Sequence, residues 1–339
     1  MSAWPTLVAG RKVIPLDALP VGAVEACMDG LVQLHGDGLC AEMCAAHLAT
    51  GGKRIRARLA LAAAQALGAD VDAAVPWAAA CELLHNASLV HDDLQDGDRV
   101  RRDRPAVWTV YGAEQAINAG DLLLMLPTLS VGELDVSDAL KWRLAVTLAR
   151  HAAATARGQS EEMALRSLTR LGMSDYLDAA HGKTAGLFGL PVEGAAMLAG
   201  HSDQDARRLA RPFEVLGLVY QMIDDLVDLY GDKGRGEQGA DLREGKVSAL
   251  VVAHLHRRPE DRLWLSGVLR TGRDALASEV VEEVSSRFVS SGARDDVVGQ
   301  VRRLANEVDG PALEAEPALR EVGRELRERV LAPLRRLRA

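Results

Sequence analysis

The sequence predicts an all-α protein, and three observations carry the prediction. Apolar residues recur at intervals of three and four along most of the 339-residue chain, the period of a helix with one buried face. Aromatic residues make up only 4% of it while alanine and leucine abound, which suits packed helices better than a β-sandwich. Alternating runs bounded by Asn-Gly or Asp-Gly are missing, so a sheet is not expected. At 48% apolar and 26% charged, the chain can bury a large core. No low-complexity linker divides it, so residues 1–339 read as a single domain, an antiparallel helical bundle.

The periodicity places a first helix over 18–48 and a second over 53–67, after the Gly51-Gly52 pair. A third covers 72–96 and stops at Gly97, since glycine is favoured just past a helix end. Helices over 112–133, 137–158, 174–181 and 184–199 follow. The next, 203–230, stops at Gly231 in the same way, and helices over 245–257, 273–289, 293–308 and 313–337 complete the chain. Three segments rich in charge or glycine interrupt the pattern: 50–58, 97–105 and 231–246. The last is the longest, and long loops in compact domains tend to be functional.

A net charge of −8 and a pI near 5.7 argue against nucleic acid as a partner. No apolar run approaches the roughly 18–20 residues that span a bilayer, so no stable membrane insertion is expected. Arg11 and Lys12 follow the weakly apolar start rather than precede it, unlike a signal peptide, so a cytoplasmic location is expected. Four cysteines do not make a disulfide framework in a chain this long. Cys40, Cys44 and His47 have helical spacing that could hold zinc, but no second ligand pair is near, and small buried thiols are the simpler reading.

The informative feature is a pair of acidic clusters of one pattern, Asp92-Asp93-x-x-Asp96 and Asp224-Asp225-x-x-Asp228, each ending an apolar helix. Residues i and i+4 share a helix face, so Asp92 pairs with Asp96 and Asp224 with Asp228. The carboxylates crowd the helix end where the macrodipole is already negative, so cations must compensate. Half-buried carboxylates are paired or bind metal, and oxygen-only ligands suit Mg²⁺ bridged to phosphate. Behind the clusters run polar or small stripes, Ser88, His85 and Cys81 on one helix and Gln221 and Gly217 on the other. Cations stand nearby: Lys53, Arg54 and Arg56 after a glycine pair, Arg99, Arg101, Arg102 and Arg104 after the first cluster, Lys183 beside Thr184, and Lys246. Together they describe metal-bridged polyanion binding, with a diphosphate as the natural ligand. Neither a Walker loop nor a dinucleotide-binding turn occurs to suggest a nucleotide.

From about residue 30 to the C-terminal helices the chain resembles the trans-isoprenyl diphosphate synthases of the polyprenyl synthetase family. The resemblance is carried by Gly51-Gly52-Lys53-Arg54-x-Arg56, by His85-x-x-x-Leu89-Val90-His91-Asp92-Asp93-x-x-Asp96 with Arg101-Arg102, and by Lys183-Thr184-Ala185. Gln221-x-x-Asp224-Asp225-x-x-Asp228 and Asp241-Leu242-x-x-Gly245-Lys246 complete it. It implies the isoprenoid synthase type I fold, helices around a central cavity, and a homodimer. It also implies about three Mg²⁺ ions held by Asp92, Asp93, Asp96, Asp224, Asp225 and Asp228. Arg101, Lys183 and Lys246, with Thr184 and Gln221, would grip the diphosphate of an allylic substrate. Lys53, Arg56, His85 and Arg102 would bind isopentenyl diphosphate. Ionisation of the allylic diphosphate and attack by the isopentenyl double bond would give a trans-polyprenyl diphosphate.

The chain departs from the family pattern at Ala57 and Ala249, where proline is usual, and in the loop 231–239, where the usual Gly-Lys falls at Arg235 and Gly236; Arg235 or Lys233 could replace that lysine. Ala87 and Ser88, one turn before the first cluster, are small where farnesyl-forming relatives tend to carry an aromatic. The product pocket therefore runs deeper, toward Leu83, Leu124, Met125 and Thr128, and a C20 geranylgeranyl product is expected over farnesyl or longer chains. A class I terpene cyclase would carry an Asn-x-x-x-Ser-x-x-x-Glu type triad in place of the second cluster and has little use for Lys53 and Arg56. An HD-type phosphohydrolase needs more histidines, a di-iron protein a second Glu-x-x-His, and a non-catalytic synthase subunit usually lacks one cluster.

Overall fold

The computed structural model describes residues 6–8, 10–167, 171–231, 238–273 and 275–337. It is all-α, as the periodicity predicts. The helices are α1 (Gly22–His35), α2 (Gly38–Leu48), α3 (Ile55–Leu67), α4 (Val75–Asp96), α5 (Val107–Tyr111), α6 (Ala113–Gly132), α7 (Asp138–Leu165) and α8 (Met173–Ala180). A π turn, His181–Ala185, leads into α9 (Gly186–Leu198), followed by α10 (Asp203–Tyr230), α11 (Ala240–Arg243) and α12 (Ala249–Arg257). The remaining helices are α13 (Arg262–Leu269), α14 (Ser278–Ser290), α15 (Ala293–Ala305) and α16 (Pro317–Leu331). Short 3-10 turns join several of them, and none of the described helices is long and apolar enough to cross a membrane.

The chain divides into two compact units, Met1–Ala153 with Leu187–Arg211 and Pro311–Glu325, and Ala154–Gly186 with Pro212–Gly310 and Leu326–Ala339. In the first, α4 is enclosed on every side: the eight residues Trp77 to Leu84 are all buried, as only a central helix allows. It packs against α6, α3 and α1. Two glycines set its distance from neighbours. A Cβ on Gly120 of α6 would fall 2.2 Å from the His91 ring, and one on Gly194 of α9 would fall 2.0 Å from the Trp77 indole. Trp77 is fixed there by its N–H, which donates to the Pro191 carbonyl at 3.1 Å.

In the second unit α12 has the same role, with Ala249 to Leu255 all buried and α8, α14 and α15 against it. The latter part of α10 presents Phe213, Leu216, Val219, Met222, Ile223 and Leu226 inward at helical spacing. The C-terminal part of α7 meets the π turn backbone to backbone: a Cβ on Gly158 would lie 2.1 Å from the Lys183 nitrogen.

Several boundaries differ from the sequence reading. The helix expected over 18–48 is two, because Gly36 is extended and Asp37 caps α2, accepting from the Gly38 N–H at 2.7 Å. The helix expected from 245 begins at Ala249, since Gly245 has φ +70° and Ser248 caps it. Helices α5 and α11, of five and four residues, are too short for periodicity to reveal, and α13 is not among those expected either. Two ribbons also appear, β1 (Thr6–Val8) with β2 (Arg11–Val13) and β3 (Val100–Arg101) with β4 (Arg104–Pro105). Strands of two or three residues are too short to alternate visibly. The second ribbon turns through Arg102 and Asp103, both at positive φ, as a two-residue hairpin of the I′ kind requires.

Gly158→Ala should therefore destabilise the protein by about 1–3 kcal/mol or more, because the methyl meets backbone that cannot step aside. Gly30→Ala, in mid-helix with open space around it, should be neutral or stabilising by up to about 1 kcal/mol. Chemical denaturation of the two variants against wild type measures both.

Candidate active site

The C-terminal end of α4 carries the first acidic cluster. Gly97 closes the helix in the left-handed conformation, φ +70°, so the helix stops where the sequence predicts. Asp92 and Asp96 are partly exposed, whereas Asp93 is buried at 1% exposure and engaged from the side. Arg101, from β3, donates its Nε to Asp93 Oδ1 at 2.8 Å and adds a second bond through Nη2. Asp98 stands 3.8 Å from the same guanidinium. Asp93, expected among the metal ligands, thus has its Oδ1 bonded to Arg101, which supplies the counter-charge that a buried carboxylate needs.

The basic residues of this unit gather behind that cluster. Lys53 is exposed. Arg54, at φ 50°, is structural: it donates to the Leu48 carbonyl at 2.8 Å and pairs with Glu25 and the buried Glu82. Arg56 lies over the Phe188 ring, 4.7 Å from its centroid, and its Nη1 is 3.2 Å from His85 Nε2. A guanidinium only donates, so His85 Nε2 accepts and the ring proton sits on Nδ1. Burial, then Arg56, Arg102 and Arg101, hold His85 well below its ordinary pKa, so the ring is neutral. Among the described residues its buried Nδ1–H meets no hydrogen-bond acceptor. Arg102 is anchored on the Gly51 carbonyl, and its guanidinium fills the space a Cβ at Gly52 would need. His47 joins this cluster unforeseen. Burial, then Arg102 and Arg101, push it down to about 3, so it adds no charge to the arginines. The zinc option for Cys40, Cys44 and His47 fails, since both thiols point at carbonyls of α6.

Of the pocket residues on α4, Leu83 and Ala87 are buried, and Ser88 is partly so, its hydroxyl donating to the His85 carbonyl. Met125 departs from expectation. It is 58% exposed on the outer side of α6, whose inward face is Leu123, Leu126, Pro127 and Ser130.

In the second unit, Asp224 is partly exposed while Asp225 and Asp228 are buried. Asp225 repeats the part of Asp93 with different partners. Its Oδ2 accepts from the Tyr176 hydroxyl at 2.8 Å and from the Ala249 N–H at 2.8 Å, and its Oδ1 from the Gln221 amide at 3.2 Å. Burial, then Asp241, raises its carboxyl to about 7, against the pull of those donors. Asp225, like Asp93, thus meets hydrogen-bond donors of the protein itself. Gln221 in turn accepts from the Thr184 hydroxyl at 3.0 Å. Asp228 receives the returning loop, accepting from the Asp241 N–H at 3.1 Å. Lys183, in the π turn, is held by Glu162 at 2.5 Å, and Lys246 by Glu244 at 2.6 Å with Asp241 at 3.9 Å. Lys233 and Arg235, the candidates for the loop lysine, lie outside the described residues.

Sequence reasoning missed Tyr176 and Glu162, and it read His47 only as a possible zinc ligand rather than as a neighbour of the arginines. Tyr176 and Glu162 had no motif around them, and only helical spacing before the π turn could have drawn attention to Tyr176. Among the described residues no three His, Cys, Asp or Glu side chains gather into a ready-made metal cage. Each cluster instead offers an i, i+4 carboxylate pair, a donor set that fits Mg²⁺ completed by water and phosphate oxygens.

The polyprenyl synthetase family profile matches residues 37–286. The chain is 36% identical to the geranylgeranyl diphosphate synthase of Mycobacterium tuberculosis over 72% of its length and 70% of that protein's. It is 38% identical to the (2E,6E)-farnesyl diphosphate synthase of Mycobacterium bovis, covering 74% of this chain and 71% of the other. In structure it matches the polyprenyl synthase of Caulobacter crescentus, solved with calcium and isoprenyl diphosphate, at a TM-score of 0.78 and 28% identity over 92% of this chain and 95% of that one. A helical fold, the ordered series of acidic and basic motifs, and these likenesses agree: the chain belongs to the polyprenyl synthetase family and is a prenyltransferase of the trans-isoprenyl diphosphate synthase kind.

Proposed function

We propose that the protein condenses isopentenyl diphosphate with allylic diphosphates in a Mg²⁺-dependent reaction, with geranylgeranyl diphosphate (C20) as its main product. One observation carries the reading. Helix α4 carries the Asp92/Asp96 pair at its end and, seven residues before Asp92, His85, which Arg56 of α3 reaches to make a second, basic device. At 1.5 Å per residue the two are about 10 Å apart along the helix. A metal-bridged diphosphate at one and a directly bound diphosphate at the other is the requirement of a two-substrate condensation, whereas a cyclase needs one. The neutral His85 with its buried, unaccepted Nδ1–H supports the second, since an anion would satisfy it.

Asp92, Asp96, Asp224 and Asp228 would hold the metal in this reading, and the calcium named for the Caulobacter crescentus relative supports a divalent ion. Bound Mg²⁺ supplies Lewis acidity that neutralises the leaving diphosphate. Arg101, Lys183 and Lys246 would be the cations for the allylic diphosphate, as the family motifs imply, and each is already oriented by a carboxylate: Asp93, Glu162 and Glu244. Lys53, Arg56, His85 and Arg102 bind isopentenyl diphosphate, whose double bond attacks the allylic carbon as the C–O bond breaks. The proton lost afterwards goes to the departing diphosphate. Apolar helix walls keep water from the cation. Ala87 leaves room along α4, and the fully buried Leu83, one turn deeper, closes it, which favours C20 over C15. The protein acts in the cytoplasm as a homodimer; the exposed Ile117, Met125 and Leu129 on α6 supply an apolar face for a second copy.

The test is incubation with Mg²⁺, isopentenyl diphosphate and C5, C10 or C15 allylic diphosphates, with the dephosphorylated products sized by chromatography. A C20 alcohol is expected; diphosphate released without isopentenyl diphosphate would show a cyclase instead. Asp92→Ala and Asp224→Ala should each cut turnover about a thousandfold or more, and wild-type rates in either would refute the metal assignment. Ala87→Phe should shift the product from C20 toward C15 at comparable total turnover, read in the same assay.

A further inference from the structure

We infer that Tyr176 and Asp225 are positioning residues, which orient Gln221 and Thr184 through a hydrogen-bond chain of fixed direction, and that Asp225 is not a metal ligand. The inference rests on the diphosphate-binding reading above. The chain can be followed atom by atom. Tyr176 is buried, and its hydroxyl donates to Asp225 Oδ2, which the Ala249 N–H also reaches. With Oδ2 so occupied, Oδ1 takes the Gln221 amide N–H, and the amide oxygen is thereby turned toward Thr184. The Thr184 hydroxyl must then donate to Gln221. Its proton is committed to Gln221, so toward the site Thr184 offers only lone pairs, which accept from water or an ammonium donor and do not bond phosphate oxygen directly.

The geometry also explains why two elements distant in sequence are tied to one carboxylate. Tyr176 belongs to α8, the helix that runs into the π turn holding Lys183 and Thr184; Ala249 is the first residue of α12. Asp225 clamps both to α10, so the cation Lys183 and the hydroxyl Thr184 are fixed relative to Asp224 and Asp228. Three donors converge on its two oxygens, a set that fixes the orientation of the carboxyl group from within the protein.

Three variants test this: Tyr176→Phe, Asp225→Asn and the double variant Asp225→Asn with Gln221→Glu. In Asp225→Asn the introduced amide faces the Gln221 amide donor to donor, so Gln221 must flip and Thr184 loses its acceptor. In the double variant the carboxylate introduced at position 221 accepts both from the amide introduced at position 225 and from Thr184, and the direction of the chain returns. The KM for the allylic diphosphate should rise about tenfold in Tyr176→Phe and more in Asp225→Asn, and fall back to within about threefold of wild type in the double variant. The Mg²⁺ concentration for half-maximal activity should stay at the wild-type value in all three, while Asp224→Asn raises it. A second readout needs no turnover. In metal-free protein, Tyr176→Phe and Asp225→Asn should be non-additive in thermal unfolding, and calorimetry should show weakened pyrophosphate binding in the presence of Mg²⁺. A raised Mg²⁺ requirement in Asp225→Asn, no recovery in the double variant, or additive melting shifts would each overturn the inference. Loss of the functional reading looks different: wild type would form no prenyl product although the melting shifts remain non-additive.

Discussion

Like charge crowded at the wrong end of a helix is the constraint on which the rest of this protein depends. Three carboxylates at a helix C-terminus repel one another and meet the negative pole of the backbone. The structure answers by treating them unequally. The middle aspartate of each triad is drawn inward and given donors, Arg101 for Asp93 and Tyr176, Gln221 and Ala249 for Asp225. The outer residues then share one face four residues apart, two carboxylates on a stiff rod. An acidic motif that looks uniform in sequence is therefore a clamp in its centre with an i, i+4 carboxylate pair at its edges.

The same logic governs the cations. Arg101, Lys183 and Lys246 are each paired with a carboxylate, which holds these long side chains in one orientation. Arg54, which the motif places among the anion binders, is instead bonded to the Leu48 carbonyl and paired with Glu82, and holds the loop in shape. Within one short basic stretch, Arg54 builds the scaffold and Arg56 reaches His85. Neighbouring residues of one type differ in task because their backbone conformations aim them apart.

Much of this is legible in the sequence. The helices that carry the acidic clusters, α4 and α10, are readable to their last residue, because a long apolar period and a terminal glycine are local signals. The acidic pairs follow from spacing alone. What stays hidden is tertiary. Nothing local distinguishes Asp93 from Asp92, since only the approach of β3 makes one of them a counter-ion. Tyr176 lies 49 residues from Asp225 and belongs to no motif. The break after His35 escapes notice because the apolar pattern continues across it. Met125 reads as inward because helical period fixes spacing but not which side a helix turns to its neighbours. The π turn at His181–Ala185 has no signature, although its close contact with Gly158 is among the most restrictive in the chain.

Gly52 shows how such contacts bind distant positions into one inheritance. It holds φ at +121°, and the space where its side chain would stand is filled by the guanidinium of Arg102, fifty positions later. Neither residue can drift alone: a bulkier group at 52 evicts the arginine, and a shorter one at 102 leaves a hollow over bare main chain. In descendants of this gene the two codons should be lost or kept as a pair, so that a hairpin and a loop with no sequence in common share a single evolutionary fate.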